Sequence, residues 1–395
     1  MTPSASMSDD TRAIALLCGH FGTRRGEAKP LSPAEYHGFA GFLSSRELDP
    51  AALLTGAAGA ALASNADDLP STERIGALLS RERELATAMT RWHRAGIWVI
   101  GEGDRHYPAH LRNRLGSGGF PLLFGAGPID RLDSGGVCIV GSRDSPQIGL
   151  AFARTLGSRC ARESMTVISS DMRGVDREAI SAALGSGGRV ISVLSDSLEK
   201  ATAAKRNRAA LESGSMTLVT PFSPDTRFSV SNAMRANKYQ YALSDVAVVV
   251  DTRRKGGVWS GADENRNEGW VPAFVRAGER MSPGNTALVH LGAQPITLEE
   301  VRDCERLDDL FLGRSRRADP DPAGAAESSP VPDLYGEFLR GLRTLQADGP
   351  VSEARVVGVF AIERSQARKW LARAVIEGHA EKHGRPARYH MLDAG

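Results

Sequence analysis

Four cysteines in 395 residues are too few and too scattered for a disulfide framework. Cys18, Cys138, Cys160 and Cys304 show none of the spacings of a zinc site, so no metal is expected. Cys138 sits in an apolar run and reads as a small core residue. This usage fits a reducing compartment. No apolar run approaches the ~20 residues that span a bilayer, so no membrane partner is expected. The opening residues, MTPSASMSDDTR, lack the basic stretch and apolar core of a secretory signal. The cytoplasm is the expected location. An excess of charge is missing too. The net charge of +2 neither demands nor excludes nucleic acid, so polyanion binding must come from local clustering. The G-x-G-x-x-G fingerprint is absent as well. That argues against a dinucleotide-dependent oxidoreductase, and no cofactor is expected.

What is present is an ordinary globular balance, 41% apolar and 24% charged, in a chain long enough for two or three domains. Residues 1–96 read as an N-terminal helical domain. Ser32, Pro33 and Glu35 spell a helix entry, with Ser32 as cap. Phe39, Phe42 and Leu43 form one apolar stripe, and Leu78, Leu79, Leu85, Ala88, Met89 and Trp92 another. Both read as core packing. His106 beside Tyr107-Pro108 reads as a turn residue, since no nucleophile or base lies near it in sequence.

Residues 97–295 carry the regular part. Short strands are expected at 97–100 and 121–125. Apolar runs at 137–141, 166–169, 189–194, 216–220, 246–251 and 271–276 alternate with helix-length segments. That alternation implies a Rossmann-like parallel sheet covered on both faces. Its ligands belong beyond the carboxyl ends of the strands. Residues 296–330 read as a flexible linker, because 314–330 has no apolar periodicity. Residues 331–395 read as three helices and a hairpin, a winged helix-turn-helix. There Arg364, Arg368, Lys369 and Arg373 fall off the core stripe and suit DNA contact.

The strand-end loops collect small and basic residues. Gly141, Ser142 and Arg143 follow an apolar strand and lead into a helix, a setting that suits a phosphate. A second loop carries Asp171, Arg173 and Gly174, with Asp176 placed to cap the next helix. Lys205, Arg206 and Arg208 follow, then Asn237 and Lys238, then Arg253-Arg-Lys-Gly-Gly257. A phosphate-rich chain laid across these ends would meet several cations and backbone donors. Gly256 and Gly257 let the backbone approach a ligand. Ser260 could donate to a phosphate, and Glu264 stands as an acid, a base or an ordinary helix residue. Tyr239, Tyr241 and Trp259 are the aromatics that could stack bases, with core packing as the alternative for each and the expected place of Tyr241.

These motifs, in this order, resemble the DNA-processing protein DprA (Smf) family. Val137–Arg143 is similar to that family's Ile-Val-Gly-Ser-Arg segment. Residues 169–184 resemble its Ser-Gly-Leu-Ala-Arg-Gly-Ile-Asp block. Asn237-Lys238 with Ala242-Leu243-Ser244 resembles its Arg-Asn-Arg segment, with Ala236 in place of the first Arg and Lys238 in place of the second. Gly256–Ala262, Pro283-Gly-Asn285 and Leu291-Gly-Ala293 match its late glycine motifs. The resemblance implies an extended Rossmann-like parallel sheet core between an N-terminal helical domain and a C-terminal winged helix. It implies a homodimer, not an enzyme, that binds single-stranded DNA and loads a RecA-type recombinase during transformation. A repurposed role such as phage defence belongs to the same reading. Carried over residue by residue, Arg143, Arg173, Asn237 and Lys238 hold the DNA, with Gly141, Ser142 and Gly174 shaping the pocket. Ser170-Asp171-Met172 stands where the family has Gly-Leu-Ala, and the carboxylate of Asp171 is expected to weaken phosphate binding or narrow it. Two alternatives stand beside this. One is a nucleotide sensor or a nucleoside-monophosphate phosphoribohydrolase-like enzyme using Glu264. The other is a regulator acting on duplex DNA through its winged helix.

Overall fold

A computed structural model describes residues 7–21, 28–59, 69–278, 280–318, 334–346, 351–360 and parts of 367–391. They fall into two compact units, Met1–Asp319 and Pro320–Gly395.

The first unit is built on a nine-stranded sheet. Its strands are β1 (Ile97–Gly101), β2 (Leu122–Ala126), β3 (Val137–Gly141), β4 (Val167–Ser169), β5 (Val190–Val193), β6 (Met216–Thr220), β7 (Val246–Asp251), β8 (Ala273–Arg276) and β9 (Gln294–Ile296). Their spatial order is β1-β2-β6-β5-β4-β3-β7-β8-β9. From β6 to β9 every pairing is parallel, while β1, β2 and β6 join in antiparallel pairs. The parallel strands are almost wholly apolar because both their faces are covered. The chain winds outward from β3 to β6, then returns to lay β7 on the other flank of β3. The strand order therefore reverses between β3 and β7, and the loops after those strands border a crevice.

The N-terminal helices share the core of the sheet. Ser32 and Glu35 form a complete capping box at the helix Pro33–Ser44. Trp92, fully buried, meets Phe124 of β2 edge-on at 5.2 Å. Thr11 Oγ1 accepts the Gly101 N–H at 3.1 Å, satisfying a donor at the end of β1.

Two sequence expectations change here. Within the stretch read as a linker, Leu298–Asp303 and Leu307–Ala318 are helical. Val301, Leu307 and Phe311 are buried, with Phe311 meeting Phe274 at 5.0 Å. These apolar side chains supply a packing face that the polar 314–330 composition hides. The short strand β9 was not expected, since Gln-Pro-Ile carries little strand pattern and Pro suits only an edge.

The second unit contains helices Leu334–Gln346 and Glu353–Phe360 and the strands β10 (Val351–Ser352), β11 (Ala380–His383) and β12 (Arg388–Met391). The strands form an antiparallel sheet in the order β10-β12-β11. Phe338, Leu342, Val356, Ala367, Leu371 and Tyr389 lie in its core. Arg364, Arg368, Lys369 and Arg373 lie outside the described residues.

Candidate functional site

A cavity of about 370 Å³ opens at the crevice between β3 and β7. Its floor is the turn after β3. The register between β3 and β7 slips at Val140/Gly141. Ser142 N–H donates to the Asp251 carbonyl at 2.8 Å. The Gly141 N–H goes instead to Asp176 Oδ1, at 3.1 Å. Asp176 Oδ2 accepts the Ser170 hydroxyl. So Asp176 is not the helix cap that its position suggests. It ties the turn after β3 to the turn after β4. Burial pushes its carboxyl up to about 7, against the pull of Ser170, the Gly141 N–H and Arg143.

Gly174 makes that junction possible. Its φ is +93°, and a Cβ there would lie 2.5 Å from the Ser142 carbonyl oxygen and 2.7 Å from Arg143 Cα. The two loops therefore touch backbone to backbone. Across the crevice, the helix Val230–Ala242 presents Ala233, Met234, Ala236, Asn237 and Gln240 to the cavity. Ser229 caps this helix by accepting the Asn232 N–H. Asn237 Nδ2 donates to the Gly257 carbonyl at 2.9 Å, joining that helix to the turn after β7. The end of β7 is fixed by Asn285. Its side chain accepts the Thr252 N–H and donates to the Val250 and Arg276 carbonyls.

The walls differ in character. Arg143, Arg253 and Lys255 supply cations. Phe228, Val230 and Met234 supply an exposed apolar lip, at 45%, 69% and 45% exposure. The Arg143 guanidinium stands 5.5 Å from the centre of the Phe228 ring. Such a cavity can hold a phosphate on one side and a flat apolar group on the other.

Gly141, Ser142, Arg143, Asn237 and Gly257 are brought together at this cavity. Gly174 stands behind it, and Gly256 adopts a φ of +94° between the lining residues Lys255 and Gly257. Arg173 and Lys238 are not among the lining residues. Arg173 is exposed and paired with Asp144 at 2.5 Å. Lys238 sits one residue round the helix from Asn237 and donates to the Gly118 carbonyl. Burial pushes its ammonium down, with Glu264 acting against the shift. Glu264 is likewise outside the lining, and burial raises its carboxyl against the pull of Lys238.

Asp171 does not oppose an anion in the cavity. Arg206 grips its carboxylate and Arg177 approaches to 3.6 Å. Tyr241 is in the core, as expected, and Tyr239 joins it there rather than at the cavity. Each is 1% exposed, because the helix turns that face inward. Trp259 is half-buried and absent from the lining. Phe228 takes the aromatic place at the mouth. It lies in an irregular stretch between β6 and the next helix, where periodicity gives no signal. Asp176 reads from the sequence as a helix cap, and nothing near it marks it as the partner of Gly141.

No curated protein sequence matches the chain. Among solved structures, DNA processing protein A from Streptococcus pneumoniae is 19% identical with a TM-score of 0.50, over 70% of this chain and 99% of that one. DNA processing protein A from Helicobacter pylori, described for its single-stranded DNA binding mode, is 20% identical with a TM-score of 0.46, over 56% of this chain and 98% of that one. The sequence model for DNA recombination-mediator protein A matches residues 98–304, which hold all nine strands of the large sheet except the start of β1. A match over that stretch, more than half of the chain, places this protein in the DNA recombination-mediator protein A family.

Proposed function

We propose that the protein is a single-stranded-DNA-binding recombination mediator that holds the strand in the cavity between β3 and β7. The observation that carries this reading is the pairing of walls. Arg143, Arg253 and Lys255 meet the phosphate, and Phe228 and Met234 meet an unstacked base. Loading of a RecA-type recombinase, action as a homodimer in the cytoplasm, and a role in natural transformation or phage defence complete the proposal. Two helices and a three-stranded antiparallel sheet in the second unit support a winged helix there, with Arg364, Arg368, Lys369 and Arg373 as its DNA contacts. The reading is of a binding protein, not an enzyme. Glu264 stands outside the lining, and the two carboxyls that line the cavity are engaged structurally, Asp144 with Arg173 and Asp176 with the Gly141 N–H and the Ser170 hydroxyl.

The test is a salt-titrated comparison of oligo-dT, duplex and nucleoside monophosphate binding. Oligo-dT should bind best, with a steep salt dependence. Replacing Arg143 and Lys255 together by Ala should weaken it at least tenfold and lower the salt slope by roughly 1–2. Unchanged affinity in that folded double variant refutes the site. Hydrolysis of the monophosphate that is lost with Glu264→Ala refutes the non-enzymatic reading.

A further inference from the structure

A second cavity, of about 300 Å³, lies along the helix Gln147–Arg162 and is lined by Arg154, Thr155, Ser158, Arg159, Arg162 and Arg302. Four guanidinium groups converge there, and no carboxylate lines it. Two of the four are compensated from outside: Arg154 pairs with Glu178 at 2.9 Å and Arg159 with Glu163 at 2.7 Å. Arg159 is fully engaged. Besides Glu163 it donates to the carbonyls of Val301, Arg302 and Cys304, so it has no donor left for a ligand. Its work is to staple the end of the helix Leu298–Asp303 to the helix Gln147–Arg162. That staple is what sets Arg302 beside Arg162.

Arg162 and Arg302 are exposed, and among the described residues neither side chain has a hydrogen-bond or ion-pair partner. Two uncompensated like charges held at one concavity raise its energy unless an anion joins them. Guanidinium forks match phosphate oxygens two at a time. The hydroxyls of Thr155 and Ser158, three residues apart and so on one helix face, add donors beside them. The cavity has no apolar side chain to hold the residues of an acidic peptide. It lies away from the first cavity, since a helix from Gln147 to Arg162 extends ~22 Å and only its start adjoins the turn after β3.

We propose that Arg162, Arg302 and Arg154, with Thr155 and Ser158, form a second phosphate-binding site. The phosphate comes either from a nucleic-acid strand that runs on from the first cavity, which rests on the function proposed above, or from a free oligophosphate. Sodium tripolyphosphate serves as the probe for the site itself. In a chain carrying Arg143→Ala and Lys255→Ala, which disables the first cavity, it should still raise the melting temperature, but not once Arg162→Glu and Arg302→Glu are added. A second pair, Arg162→Gln with Arg302→Gln, gives the same comparison without new charge. Short and long oligo-dT separate the sources. If the strand is the source, the Gln pair should cost the long oligomer about tenfold in affinity and leave the short one unchanged. Loss of tripolyphosphate binding with the long oligomer unaffected supports the site and assigns it to the free anion. Tripolyphosphate and long oligomer both bound by the folded Gln pair as by the native chain overturns the proposal. So does a native chain that tripolyphosphate fails to stabilise while long oligo-dT is insensitive to the Gln pair. A native chain that binds no oligo-dT refutes the single-strand reading alone, and the tripolyphosphate arm still decides the site.

Discussion

Asp176 accepts the Gly141 N–H at 3.1 Å and so takes a backbone donor that the sheet ladder has released. The carboxylate sits in the core at 7% exposure and also holds the Ser170 hydroxyl. Its position has consequences for stability and for binding.

Asp176 should make stability depend on pH in an unusual direction. Its carboxyl rises from the ordinary 3.8 to about 7 on folding. Between those values the native chain keeps a proton that the unfolded chain has released, so stability falls as pH rises through this window. Asp176→Asn keeps an acceptor for Gly141 and should flatten that part of the curve. Asp176→Ala leaves the Gly141 N–H and Ser170 hydroxyl unpaired and should cost about 1–3 kcal/mol. Urea unfolding at several pH values checks both; a native curve that rises over the window contradicts the assignment.

Gly174→Ala should destabilise the chain by about 1–3 kcal/mol, through the positive φ and the close Ser142 carbonyl together. It should also weaken oligo-dT binding, because the turn after β3 must move. Melting temperature and binding are measured on the same sample. An unchanged melting temperature would show that the two loops separate freely.

Phe228 and Tyr239 should part company in mutagenesis. Phe228→Ala removes an exposed ring at the mouth, so stability should hold while oligo-dT binding falls by about 1–3 kcal/mol. Tyr239 is buried, and its hydroxyl accepts the Phe120 N–H at 2.6 Å. Tyr239→Ala should cost about 3–5 kcal/mol of stability, as a large core truncation does. The reverse pattern would put the stacking surface elsewhere.

Arg159 and Arg162 lie on the same helix and should also differ. Truncating Arg159 to Ala takes the ion-pair partner from Glu163, which keeps only the Leu307 N–H, removes a donor from three carbonyls, and should cost on the order of 3 kcal/mol. Arg162→Ala should stay within about 0.5 kcal/mol of the native chain. Chemical denaturation of the two variants side by side reads the difference.

Much of the sheet could be read from the sequence because its central strands are continuous apolar runs. Val137–Gly141 and Val246–Asp251 announce themselves by composition alone. What escaped were features set by partners distant in the chain. Nothing local says that Asp176 faces Gly141 rather than its own helix, since that depends on a slipped register. Asn237 and Lys238 are neighbours in sequence, yet a 100° helix step puts one at the cavity and the other under the Gly118 turn. Asp171 looked hostile to an anion until Arg206, 35 residues on, proved to hold it. Phe228 lies where no periodicity exists to single it out.

The contact of Gly174 with Ser142 and Arg143 has one further effect. Because the two loops are seated on each other's backbone, they are ordered once, when the chain folds. A strand entering the crevice, as proposed above, would find its first wall already assembled and would lose little to the ordering of loops. Preorganisation of this kind lets a few cations hold a mobile polymer, and it locates the remaining adaptability in the side chains of the opposite lip, Phe228 and Met234.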